Sequence, residues 1–114
     1  MNFENLEVWK RARQLSAAIY RQLKDLKDYG FKDQITRSGL SVPSNIAEGM
    51  ERISNKEKQQ FLNIARASCA ELRTQILIGS DIEYIPASTA KIWLKEAREI
   101  SAMITGLMKS ISNS

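Results

Sequence analysis

Apolar residues recur along this chain at steps of three and four, the period of helices that turn one face to a core. Trp9, Ala12, Leu15, Ile19, Leu23 and Leu26 mark a first helix from about Asn5 to Leu26, closed by Asp28, Tyr29 and Gly30. Phe31, Ile35, Val42 and Ile46 mark a second, ending near Gly49 to Arg52. Ser54 with Glu57 three residues on predicts a capping box, in which the two side chains satisfy backbone donors left unpaired at a helix start. From there Phe61, Ala65, Ser68, Leu72 and Ile76 trace a third helix down to Gly79. The segment Gly79 to Pro86 is the one long connection, and its Ile82, Tyr84 and Ile85 are expected to tuck onto the end of the molecule rather than form a strand. A fourth helix starts around Pro86 to Thr89, where Pro, Ser and Thr suit a first turn. Its stripe of Trp93, Ala97, Ile100, Ile104, Leu107 and Ile111 is the most regular pattern in the chain.

Four helices of this length with short connections pack most simply as an antiparallel up-down-up-down four-helix bundle, one all-α domain over residues 1–114. One stretch resists that plain reading. Ile35 to Arg52, ITRSGLSVPSNIAEGMER, keeps a helical rhythm yet contains Gly39, Pro43 and Gly49. Proline removes a hydrogen bond and crowds the carbonyl four residues back, here that of Gly39, so a kinked second helix is expected. Its polar residues Arg37, Ser41, Asn45, Glu48 and Arg52 share one arc away from the Ile35, Val42 and Ile46 stripe. Ser and Asn are poor helix formers, and short side chains at mid-face let another helix or subunit approach closely. These five residues, with Arg66 and Glu71 on the third helix, are therefore the expected subunit contacts.

Charge and chemistry narrow the function. The net charge is +4, with nine basic and seven acidic residues in 1–53 and eight and six in 54–114, so there is no basic tail. The helical register nevertheless gathers Lys91, Lys95, Arg98 and Lys109 on one side of the fourth helix, and Lys10, Arg21 and Lys24 on one side of the first. Helices one and four are neighbours in such a bundle, so the two stripes could merge into one basic face that attracts phosphates without reading sequence. No exposed aromatic residues are interleaved with these cations, which argues against a platform for stacking single-stranded bases. Trp9 and Trp93 read as core or interface anchors.

There is no histidine and one cysteine, Cys69, which excludes an internal disulfide, histidine-based acid–base catalysis and nearly all transition-metal sites. Cys69 reads as a small buried hydrophobe. A carboxylate pair of Glu48 and Glu71 would need a shared cleft, and no cleft is legible, so no catalytic residue, metal or cofactor is expected. No apolar run reaches membrane-spanning length and none resembles a signal peptide, which points to a cytoplasmic protein with no membrane partner.

Three segments carry a family resemblance: LEVWKRARQLSAAIY, QITRSGLSVPSNIAEGMER and FLNIARASCAEL. Through them the chain resembles the four-helix-bundle proteins first associated with intervening sequences in large-subunit (23S) ribosomal RNA genes, over nearly its whole length. The resemblance implies an antiparallel bundle that assembles as a homo-oligomer, with a ring-shaped pentamer as the expected state, and no established enzymatic activity. It also implies a suspected association with RNA or DNA, because a related retroelement accessory protein forms a basic pentameric barrel. The expectation is a non-enzymatic oligomer that binds nucleic acid through basic helix faces. The alternative is a scaffold that holds a protein partner.

Overall fold

A computed structural model describes residues 2–113 and contains, among these, four helices and no strand. A 3-10 turn at Phe3–Asn5 leads into α1 (Glu7–Gln22), followed by α2 (Tyr29–Glu51), α3 (Asn55–Asp81) and α4 (Ala87–Ser112). They pack as a bundle 45 × 21 × 20 Å in extent. The long dimension agrees with the ~1.5 Å rise per residue of its longest helices.

Local chemistry sets the boundaries. The first helix is shorter than its apolar period suggests: it stops at Gln22, and Leu23 to Asp28 form the turn into α2. Asp28 starts the second helix rather than closing the first, its Oδ1 accepting the Phe31 N–H at 3.1 Å as an N-cap. The oxygen of Ser54 likewise caps α3 by accepting the Glu57 N–H at 3.0 Å, one of the two bonds of the predicted capping box. The third helix runs two residues past Gly79, to Asp81. Its end is closed by Tyr84 and Ile85, whose N–H groups both bond to the Gly79 carbonyl, at 2.8 and 3.1 Å. Glu83 supports this tight reversal with a left-handed φ of 65°. Ile85 is fully buried and Tyr84 half-buried, as expected of a loop tucked onto the bundle end, but Ile82 stays exposed. Helix α2 is continuous through the buried Pro43.

The core follows the predicted stripes. Ile19 from α1, Ile35 and Ile46 from α2, Leu62, Leu72 and Ile76 from α3, and Ile100 and Ile104 from α4 are all fully buried. Complete burial of such a side chain stabilises by about 1.5–3 kcal/mol, so this shared core is the main source of cohesion. The α2–α3 pair is the closest. An alanine-sized group at Gly49 would lie 3.1 Å from Phe61 Cβ and 3.3 Å from the Lys58 carbonyl. The Ser41 and Ser68 hydroxyls meet at 2.8 Å, and Ser38 donates to Gln75. Between α3 and α4, Gln59 Nε2 reaches the Met108 carbonyl and Ser112 Oγ, both at 2.8 Å, and Arg66 reaches Thr105 Oγ1 at 3.4 Å. At the end holding the α1–α2 and α3–α4 turns, Tyr84 donates to Asp28 Oδ2 at 2.8 Å, so one carboxylate joins both connections. No helix of the described residues is long and apolar enough to cross a membrane.

Candidate nucleic-acid interface

The basic residues singled out on α4, Lys91, Lys95, Arg98 and Lys109, are all exposed, as are Lys10, Arg21 and Lys24 on the other stripe. Lys24 lies just beyond α1, where its carbonyl accepts Lys32 Nζ at 3.2 Å. The two stripes do not merge. The seam between α1 and α4 is filled by Arg11, whose Nε and one terminal nitrogen reach Glu96 at 2.8 and 2.5 Å, that nitrogen also meeting Glu99 at 2.6 Å. Its other terminal nitrogen contacts Met103 Sδ at 3.5 Å. Glu96, Glu99 and Met103 fall at steps of three and four and so form the ridge of α4 that faces α1. Hydrogen bonds from Arg11 hold the Glu96 carboxyl below the ordinary carboxylate value, more than burial raises it. The same bonds keep Arg11 charged at any accessible pH.

Of the α4 cations, Arg98 turns the other way, toward α3. Arg98 and Arg73 line one recess of about 300 Å³ with Ala70, Thr74, Leu77 and Leu94, and no carboxylate lines it. About two turns from Arg73 along the same flank, Arg66 spans to Thr105 on α4 and donates to Asn63 Oδ1 at 2.9 Å. Arg73 Nε is buried with no hydrogen-bond partner, an uncommon state for a guanidinium. The α3–α4 groove therefore joins two arginines of α3 to the basic arc of α4. Arg73 is not among the candidates that the sequence offers for nucleic acid, and Arg66 is there expected at subunit contacts. The signal that points to both is their seven-residue spacing on one flank, read together with Arg98. Cys69, just beneath, is buried and its thiol is pushed up to about 11 by that burial, which makes it unreactive.

A second and larger recess, about 490 Å³, opens on the outer side of α1 and is lined by Glu4, Trp9, Lys10, Arg13, Gln14, Ala17 and Arg21. Trp93 is buried in the core as expected, but Trp9 is only half-buried and faces this recess. Phe3 meets the indole edge-on with ring centres 5.3 Å apart, and the Arg13 guanidinium lies over the ring 5.5 Å from its centre. Tyr20, on the same helix, is 46 % exposed. The expectation that no aromatic residue is interleaved with the basic ones thus fails on α1, because the 3-10 turn and the register of Trp9 bring aromatic surface to the cationic side.

The expected subunit-contact set divides. Ser41 and Asn45 are half-buried against neighbours in their own chain, Ser41 bonding Ser68 and Asn45 Nδ2 bonding the Ser41 carbonyl and hydroxyl, the latter two each at 2.9 Å. The close approach foreseen for these short side chains is made by α3. Arg37 and Glu71 remain exposed, while Arg52 pairs with Glu48 at 3.2 Å and lies over the Phe61 ring. Glu48 lines a shallow recess with Ser44, Ala47 and Glu51 that Glu71 does not reach, so the two carboxylates share no cleft. No cluster of three or more potential metal ligands exists among the described residues.

Comparison with known proteins agrees with this architecture. A protein of unknown function from the S23 ribosomal protein family of Bacteroides thetaiotaomicron has the same fold, with a TM-score of 0.83 and 24 % identity over 90 % of this chain and 98 % of that one. No curated protein matches the chain. Residues 4–106 match the family described as 23S rRNA-intervening sequence protein, a span that takes in α1, α2, α3, most of α4 and all the residues lining both basic recesses. The chain therefore belongs to the 23S rRNA-intervening sequence protein family.

Proposed function

We propose that this protein is a non-enzymatic, cytoplasmic, oligomeric bundle that binds RNA through the groove between α3 and α4. The observation that carries the reading is the pairing of Arg73 and Arg98 in one recess without a carboxylate. Arg66, Lys91, Lys95 and Lys109 extend that positive strip along the same two helices. Guanidinium forks grip phosphate oxygens in pairs, which suits two arginines lining one recess. Such contacts neutralise phosphates and release counterions without reading bases.

The groove belongs to an antiparallel up-down-up-down bundle bent at Pro43. Opposed chain direction is supported by the order of the cross-helix pairs, since Gln59 reaches Met108 and Arg66 reaches Thr105. A homo-oligomeric ring, most simply a pentamer, uses the outer α2–α3 face. In support, Ile64 and Ile78 are each 47 % exposed and flank Glu71 on the side of α3 that borders α2. A ring repeats a modest phosphate site several times and so converts weak contacts into avidity.

Triple charge reversal of Arg73, Lys95 and Arg98 to Glu tests the groove in a mobility-shift titration with RNA at several salt concentrations. The expected result is weaker binding and a salt slope shallower by about 0.7 to 0.9 for each phosphate that is no longer neutralised. Binding and slope equal to those of the parent protein would overturn the assignment.

A further inference from the structure

The recess on α1 has a chemistry different from that of the α3–α4 groove, and the groove does not use it. Three cations, Lys10, Arg13 and Arg21, and one carboxylate, Glu4, line it, and half-buried Trp9 forms part of the wall. We infer that this recess is a stacking site for an unpaired base of single-stranded RNA, with Trp9 as the platform and Lys10, Arg13 and Arg21 as phosphate contacts. The inference rests on the nucleic-acid reading above and names the strand state that the second site selects.

Three observations support it. First, the platform is fixed: Phe3 packs edge-on against Trp9, so the indole is held before any ligand arrives. Second, the ring already attracts a flat cationic group, for Arg13 lies over it at 5.5 Å. A guanidinium held over an aromatic face occupies the place that a base takes when it stacks. Arg13 is exposed and has a flexible stem, so it can swing outward and exchange the indole for a phosphate. Third, the volume of about 490 Å³ lies within the range of pockets that hold ligand-sized groups. Its polar lining also includes acceptors and donors suited to a base edge: the Glu4 carboxylate can accept from an exocyclic amine, and the Gln14 amide can pair with ring nitrogens. A duplex keeps its bases stacked inside and offers the recess only phosphates. Tyr20, exposed further along the helix beside Arg21, gives a following base a second aromatic surface.

Trp93 is 5 % exposed in the core, so a change in tryptophan emission on adding RNA reports on Trp9. The parent protein is titrated with a short single-stranded oligoadenylate and, separately, with the same strand paired to oligouridylate. Expected are quenching by the single strand and none by the duplex. Affinity for the single strand should fall about tenfold in Trp9→Leu and be largely kept in Trp9→Phe. Arg21→Glu, which leaves the aromatic packing untouched, should also weaken the single strand, and by more than it weakens the duplex. Binding of both strands without any change in emission, or quenching that survives in Trp9→Leu, would overturn the stacking site and leave the groove standing. Failure to bind either RNA would overturn both.

Discussion

Arg11 shows how one side chain can decide the relation between two helices. It commits its donors to Glu96 and Glu99 across the α1–α4 seam, about three-quarters of its side chain being shielded from solvent. An exposed ion pair contributes little, but a forked guanidinium with two carboxylates in partial shielding is worth about 1 kcal/mol. The pH sign follows from Glu96. Its folded-state pKa lies below the ordinary 4.5, so its contribution is complete above that value and is lost as the pH falls through the lower one. Glu96→Gln should therefore cost about 1 kcal/mol at neutral pH, and variant and parent should converge in acid, as measured by urea unfolding across pH. A constant gap down to strongly acidic pH would show that the seam gains nothing from the Glu96 charge. The role of Arg11 as a clamp is not legible in the sequence. Its partners lie 85 and 88 residues away, and only the assembled bundle brings them together.

At the scale of elements, glycine separates helices that touch from faces that are free. Gly49 lies against Phe61 and the Lys58 backbone, whereas a methyl group at Gly106 would meet nothing within 4 Å. Gly106→Ala should raise stability by up to about 1 kcal/mol through helix propensity alone. Gly49→Ala gains the same propensity but forces α2 and α3 apart, and overpacking of this kind costs about 1–3 kcal/mol. Thermal unfolding of the two variants should therefore shift in opposite directions. The helices themselves are readable because their apolar period is local, and the Ser54 cap because both of its partners lie within one turn. The end of α1 is not, because Leu26 continues the apolar period although Leu23 to Asp28 have left the helix. Asp28 can equally close one helix or cap the next, and the Phe31 N–H decides it. The basic groove is half legible: the α4 arc can be read from register, but whether it leans toward α1 or α3 depends on how the helices pack.

For the whole molecule, the decisive quantity is the mass in solution. If the outer α2–α3 face joins protomers, Ile78→Glu places a charge within that contact and should lower the mass measured by light scattering to that of one chain. The parent should measure as a multiple. A variant that keeps the parent mass would move the contact elsewhere, and Arg37 and Glu71 would then be ordinary solvated charges. The residue pattern of α2 marks this face as unusual but cannot separate close approach within the chain from approach between chains. The same short side chains, Ser41 and Asn45, satisfy both descriptions until α3 is seen against them.

The Arg11 clamp also bears on the order in which the chain folds. Helices α2 and α3 are joined by a turn of a few residues and pack closest together, so they can pair early and locally. The clamp joins α1 to α4 across most of the chain, and closing so long a loop is entropically later. During synthesis α1 emerges first yet cannot complete its seam until α4 follows. For that interval its Arg11 is unpaired and its apolar stripe is only partly covered, which makes the nascent first helix the segment most in need of protection until the last one arrives.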